Sequence, residues 1–383
     1  MEETRLSKVD TYCFLMNAIV GAGIYTIPHA FQSAGILISL VLLVIIAIVS
    51  WLVHIELLAI TEKLTKSPYT DINVDLNQLV PGTNYQLTAH HWDLPAIIQA
   101  LFKRYPYVVY AIFAWFAVCI IALLTAYVNL FGTAFGTLFD CEYTSGLLTG
   151  NECEWKYRIG TMVFTVALLF LTVVEYKELR WLQYIMIIMQ FTMLAFLILY
   201  SIKYGSTEHL SSKNEQPFNY SEICNTFSIL AFAYLYHVCI PGVLAAGRGQ
   251  HREQKEVALW MFISVAILYG LTGVISSLFF KELPADFGPF FQKHLSAEKD
   301  QEAIPSLFWL FAHISIYLPA LDVICNSGIY GQSLAGMFVT FFYGTNHELA
   351  MQNHRFECKL IRVLCVLPAP IFAQFSMQLV SFT

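Results

Sequence analysis

The sequence is poor in charged residues. Of its 383 residues only 13% are Asp, Glu, Lys or Arg, whereas 57% are apolar. A water-soluble protein of this length could not bury that much apolar surface. The composition therefore predicts that a lipid bilayer is the solvent of this chain.

The sequence also lacks an excess of positive charge, closely spaced cysteine pairs and clustered metal ligands. Its 21 basic residues are outnumbered by 27 acidic ones, which leaves no basic surface for a nucleic acid partner. The nine cysteines contain no CxxC pair, and no His/Asp/Glu cluster or nucleophile motif occurs at ligand spacing. We therefore expect no metal, no cofactor and no enzymatic activity.

Long apolar blocks are what the sequence does have. A membrane-spanning helix needs about 20 mostly apolar residues, and about nine blocks approach or exceed that length. The predicted class is an all-α integral membrane protein whose spans cover residues 11–34, 36–60, 107–132, 157–175, 180–203, 223–246, 257–280, 304–325 and 361–381. The apolar segment Tyr330–Tyr343 is a continuation of the eighth span, an interfacial helix or a further crossing.

The first span carries small residues at its centre. Gly21, Ala22 and Gly23 follow Asn17, and Pro28 comes about a turn later. Such a stretch can unwind, and unwound backbone inside a membrane can hold a substrate or a cation. The alternative is close helix packing through small residues, with no unwinding.

The sixth span carries a second interruption. Phe232, Tyr234 and His237 precede Pro241 and Gly242. Two interrupted spans, each near the start of one half of the chain, are typical of a substrate site between inverted repeats. Pro241 alone could instead produce a simple kink.

Few ionisable residues lie within the predicted spans. They are His54, Glu56, His237, His313 and Asp322. Each is costly in hydrocarbon, so each should face the bundle interior or reach an interface. We predict His237 as a proton-linked or hydrogen-bonding group of the cavity, with a purely structural hydrogen bond as the alternative.

Two cysteines lie close together in one predicted loop. Lys and Arg are more numerous in the segments on the same side of the membrane as the N-terminus. The positive-inside rule therefore places the N-terminus inside and this loop outside. An outer compartment could oxidise Cys141 and Cys153 to a disulfide, although two free thiols remain an alternative.

The motifs in these spans resemble the amino acid/auxin permease family within the amino acid-polyamine-organocation superfamily. In the first span the resemblance rests on Asn17, Val20-Gly21-Ala22-Gly23-Ile24, Ile27-Pro28, Ala30-Phe31 and Ala34-Gly35. Three further regions agree in order, namely Asp93–Arg104, Phe232-Ala233-Tyr234-x-Tyr236-His237 and Tyr317-Leu318-Pro319. The resemblance covers essentially the whole chain.

The resemblance implies a LeuT-type inverted-repeat bundle and transport of a small, neutral amino acid coupled to protons or sodium. One domain, residues 1–383, would contain repeat one at about 9–203 and repeat two at about 223–383. The implied substrate-binding residues are Asn17, Gly21, Ala22, Gly23, Tyr25, Phe232, Tyr234 and His237. A cation would contact Val20 and the region of Ser315.

Two departures from the family pattern leave a second hypothesis open. Tyr25 and Thr26 stand where the family usually has Leu and a small residue, and the sequence given ends at Thr383, after nine of the family's eleven spans. The second repeat would then lack its last helix. The alternative to a transporter of the plasma or endolysosomal/vacuolar membrane is therefore a non-transporting subunit of a membrane complex, for example in the mitochondrial inner membrane.

Overall fold

The computed structural model describes most of the chain. The described residues are 6–21, 23–66, 97–98, 101–102, 104–137, 139, 143–144, 147–148, 151–174, 178–208, 219–237, 239–240, 243, 251–280, 306–343 and 354–381. The region Asp93–Arg104 before the third span lies mostly outside these residues, although Ile97 and Ile98 are helical and buried.

Helices dominate the described structure. They are α1 (Lys8–Val20), α2 (Gly23–Ala34), α3 (Ile36–Lys66), α4 (Pro106–Thr137), α5 (Asn151–Val173), α6 (Arg180–Glu208), α7 (Ile223–Ala233), α8 (His251–Phe279), α9 (Ser306–Tyr343), α10 (Arg355–Val366) and α11 (Pro368–Ser381). A 3-10 turn, Tyr220–Glu222, precedes α7, and β1 (Tyr143–Thr144) pairs antiparallel with β2 (Leu147–Leu148) before α5.

Five of these helices are long and apolar enough to cross a membrane, namely α3, α4, α5, α6 and α8. Their outward faces are apolar: on α3, for example, Val41, Ile45 and Leu52 are each about half exposed. Such a face would be unfavourable in water and is stable against lipid tails. The expectation of a multi-pass membrane protein is therefore confirmed.

Local chemistry sets where the first helices begin and end. Ser7 caps α1 by accepting a bond from the Asp10 amide at 3.1 Å, while Asp10 accepts one from the Ser7 amide at 2.7 Å. Gly35, with φ of 94°, turns the chain between α2 and α3. Thus the predicted first span is two half-helices that meet at Gly21, followed by a sharp turn.

Two long helices organise the core. α8 packs against α1, α2, α3 and α6, whereas α9 packs against α1, α4, α5, α6 and α10. α2 also packs along α7, where the Thr226 hydroxyl donates to the Ala30 carbonyl at 3.2 Å. The two halves of the first span therefore lie in the middle of the bundle.

Each predicted span overlaps a described helix, but two helices differ from their predicted extent. α9 continues without a break to Tyr343, so the segment Tyr330–Tyr343 is a continuation of the eighth span. The ninth predicted span instead divides at Leu367 into α10 and α11, because Pro368 cannot donate a backbone hydrogen bond. Arg362 of α10 is buried and donates to the Val173 carbonyl at 3.2 Å, where it caps the end of α5.

Candidate functional site

The first span is interrupted at Gly21. This residue ends α1 with φ of 32° and ψ of −145°, a backbone geometry that favours glycine. A Cβ atom added there would lie 3.3 Å from Asn326 Nδ2 and 3.5 Å from the Tyr127 hydroxyl. The interruption is therefore lined by polar side chains of α9 and α4.

Gly23 begins the second half of the span and brings it against α7. A Cβ atom added to Gly23 would lie 2.8 Å from Ala233 Cβ and 2.9 Å from the Tyr269 hydroxyl, which is closer than real side chains approach. Since Ala233 is the last residue of α7, the start of α2 and the end of α7 are in direct contact. The two predicted interruptions thus meet inside the bundle.

The sixth span leaves the helical conformation at Tyr234. The Tyr234 amide still bonds to the Leu230 carbonyl at 3.2 Å, but the chain from Tyr234 to His237 is not helical. Tight turns follow, with the Tyr236 amide donating to the Tyr234 carbonyl at 3.0 Å. This interruption frees backbone carbonyls that need new hydrogen-bond donors.

Two tyrosine hydroxyls supply those donors. The Tyr269 hydroxyl of α8 lies 2.8 Å from the Ile19 carbonyl, 3.0 Å from that of Val20 and 3.3 Å from that of Ala233. The Tyr330 hydroxyl of α9 lies 2.8 Å from the Leu235 carbonyl and 3.2 Å from the Ala18 carbonyl. Each tyrosine therefore bridges the broken ends of the first and sixth spans.

Asn17, predicted to bind substrate, holds α1 against α6. Its Nδ2 donates to the Gln183 carbonyl at 2.8 Å and to Gln183 Oε1 at 2.7 Å. Asn17 Oδ1 is buried without a partner among the described residues. The residue is thus part of the buried polar network beside the interruption.

The three residues predicted on the sixth span lie in different surroundings. Tyr234 is buried at the interruption, where it forms an edge contact with Tyr269 at 5.6 Å between ring centroids. His237 donates from Nε2 to the Ser50 carbonyl of α3 at 3.1 Å. Phe232 is 44% exposed, so it lies outside the buried cluster that contains Tyr234.

Several predicted positions fall outside the described part of the chain. Ala22 is one of them, and the side chains of Tyr25 in α2 and Ser315 in α9 are not described. Cys153 is disulfide-bonded, whereas Cys141 lies outside the described residues, so their pairing stays a prediction.

Five polar residues around the interruption were not predicted from the sequence. Tyrosine in an apolar block looks like an ordinary core residue, so the bridging tyrosines carried no signal of their own. Gln183 and Asn326 could have been detected from the sequence, because an uncharged polar side chain inside a span is costly in lipid unless it is hydrogen-bonded. The missed residues are Tyr127, Gln183, Tyr269, Asn326 and Tyr330.

The interruption gathers hydrogen-bonding groups of the kind that hold small polar molecules in proteins. Backbone that is not helical, buried amide groups and tyrosine hydroxyls come together inside an otherwise apolar bundle. Among the described residues no group of His, Cys, Asp and Glu could hold a metal ion. The fold defines the class of the protein as a mainly helical integral membrane protein with a polar interruption in its interior.

The comparison with protein families narrows this class. The family model for transmembrane amino acid transporter proteins matches residues 4–285, which cover α1 to α8 and both interruptions. The chain therefore belongs to the transmembrane amino acid transporter family, as its first-span motif implied. The comparison with curated proteins found no match.

Proposed function

We propose that the protein is a secondary active transporter of small, neutral amino acids, driven by a proton or sodium gradient. The observation that carries the proposal is the contact between Gly23 and Ala233, which joins the interruptions of two spans in the bundle interior. In inverted-repeat transporters the substrate binds between two such interrupted spans. Family membership supports amino acids as the substrate class.

The surroundings of Gly21 support a small substrate with an uncharged side chain. Asn326 and Tyr127 both approach within 3.5 Å of the position that a Gly21 Cβ would occupy, so the available space is narrow. The described side chains that contact the interruption are tyrosines, amides and alanine, and none of these is a lysine or arginine. A charged substrate side chain would find no opposite charge among them.

Uptake into proteoliposomes tests this proposal. Purified protein would be reconstituted and offered labelled alanine, serine, glycine and proline under an imposed pH gradient or an imposed sodium gradient. We expect gradient-driven accumulation of at least one of them. Absence of accumulation and of exchange under both gradients would refute the transporter function.

Two glycine variants test the location of the site. Gly21→Leu should abolish uptake, because the new side chain would occupy the space next to Asn326 and because the backbone at φ of 32° favours glycine. Gly336→Ala is the matched control, since a Cβ at Gly336 would meet nothing within 4 Å. Normal uptake by Gly21→Leu would show that the substrate does not bind at this interruption.

A specific observation also favours the second hypothesis, a transporter-like structural subunit. The Tyr269 hydroxyl already lies within bonding distance of the carbonyls of Ile19, Val20 and Ala233, so a side chain of the protein itself occupies the point where the two interruptions meet. Native size after gentle extraction from the source membrane distinguishes the two functions. Stoichiometric migration in a large complex, together with no uptake after reconstitution, would support the subunit role.

A further inference from the structure

A buried carboxyl group lies in the middle of α9. The Asp322 side chain is 1% exposed, and its Oδ1 accepts a hydrogen bond from Gln190 Nε2 of α6 at 3.1 Å. Its Oδ2 is buried and has no partner among the described residues. In the described part of the chain no ion pair involves Asp322.

Several polar groups beside Asp322 are buried without a hydrogen-bond partner among the described residues, and the amide nitrogen Asn326 Nδ2 is one of them. Gln190 Oε1 and Asn326 Oδ1 are both buried without a donor among the described residues. Asn326 follows Asp322 by four residues in α9, so the two side chains lie on the same face of the helix. The unpaired oxygens of Gln190 and Asn326 can each accept a hydrogen bond from a protonated carboxyl group.

The neighbouring helices do not supply a compensating positive charge. α6 presents the neutral Gln190, and Arg362 of α10 is engaged at the end of α5. On α1 the charged groups are Lys8, which pairs with Glu253, and Asp10, which bonds to Ser7 and Tyr184. The titratable groups that interact electrostatically with Asp322 are Tyr127 of α4, Tyr269 of α8 and Cys325 and Tyr330 of α9.

An ionised Asp322 would be a bare buried charge, which a protein interior in lipid strongly disfavours. A proton on Oδ2 removes the charge and adds the missing donor at once, because the new O–H can donate to an amide oxygen of Asn326 or Gln190. The proton comes from water, and no other bond forms or breaks. Protonation therefore removes the charge and supplies a donor to one of the two unpaired amide oxygens.

We propose that Asp322 is the exchangeable proton site of the protein, held by Gln190 and Asn326, and that its protonation is linked to substrate binding at Gly21. The link runs through Asn326, whose Nδ2 lies 3.3 Å from the Cβ position of Gly21. A donor bond from Asp322 fixes the orientation of the Asn326 amide, which then presents Nδ2 to the interruption. The link to substrate rests on the proposed transport function, whereas the proton site does not.

Infrared spectroscopy of the purified protein tests the proton site without any substrate. At neutral pH we expect a carboxylic-acid carbonyl band that is absent from Asp322→Asn. Glu56→Gln is the matched control, because Glu56 is an exposed carboxylate in α3, and this variant should keep the band. If wild-type protein and Asp322→Asn give the same spectrum in this region, or if added sodium removes the band, the assignment of a proton site is overturned.

A second variant keeps the test informative if Asp322→Asn does not fold. Gln190→Leu removes the donor to Oδ1, so the band should move to higher frequency as its carbonyl loses a hydrogen bond. An unchanged frequency would contradict the contact between Gln190 and the protonated carboxyl group.

Transport measurements then test the link to substrate. We expect Asp322→Asn to lower the ratio of pH-gradient-driven uptake to substrate exchange by at least about tenfold, because an amide carries no exchangeable charge. Glu56→Gln should leave this ratio unchanged. An unaltered ratio in Asp322→Asn would overturn the link. If wild-type protein neither accumulates nor exchanges any amino acid, the transport function fails, and the infrared result alone decides whether Asp322 holds a proton.

Discussion

Gly23→Ala is the most direct test of the contact between the two interrupted spans. The added methyl group would lie 2.8 Å from Ala233 Cβ and 3.1 Å from Ala233 Cα. These atoms belong to the backbone or are fixed to it, so α2 and α7 would have to move apart. Overpacking of this kind costs about 1–3 kcal/mol. We expect a lower melting temperature in detergent and weaker uptake.

Gly270→Ala is the matched control for this prediction. Gly270 lies in the middle of α8, and its nearest neighbours would be 3.7 Å and 3.8 Å from an added methyl group. Replacing a mid-helix glycine by alanine at an uncrowded position stabilises a helix by up to about 1 kcal/mol. Both variants would be melted in the same detergent by tryptophan fluorescence. If Gly23→Ala melts at or above the temperature of Gly270→Ala, the close contact between the two spans is wrong.

Three further predictions follow from the described contacts. Tyr269→Phe should lower stability by about 1–3 kcal/mol in the same melting assay, because buried carbonyls lose their donor; an unchanged melting temperature would contradict the bridging role. Asp10→Ala should destabilise the protein more than Lys8→Ala does, because Asp10 is buried with several partners. The ion pair of Lys8 is exposed and is worth at most about 1 kcal/mol. Equal melting temperatures of the two variants would refute this ranking. Cys153 should be alkylated only after reduction, as read from the intact mass, and labelling without reduction would exclude its disulfide.

The position of the helices could be predicted from the sequence because lipid imposes a minimum length on apolar blocks. The interruption at Gly21 was also predictable, since two glycines and an alanine weaken a helix and only glycine readily adopts φ of 32°. Pro368 divides the last predicted span into two helices at Leu367. A proline within an apolar block can also produce only a kink in one continuous helix, so the division could not be predicted from the sequence.

The partners of the interruption could not be predicted because they depend on which residues face each other across helices. Phe232 and Tyr234 are two residues apart, yet one is exposed and the other is buried. The helix ends between them, so a helical wheel does not apply. A polar face of α6 could have been predicted from Gln183 and Gln190, because their spacing of seven residues places both amides on one face of the helix.

The Tyr269 hydroxyl marks a point where three backbone carbonyl oxygens converge. A hydroxyl has a single hydrogen, so at any moment two of these oxygens are without it, and their partial negative charges face the same small volume. A group that replaces the hydroxyl and satisfies all three oxygens must bring three hydrogens, and a positive charge on it would be attracted to them. An ammonium group has both properties, and a carboxylate has neither. Under the proposed transport function, the convergence therefore favours one orientation of an amino acid at this point, with its amino end toward the carbonyls of Ile19, Val20 and Ala233.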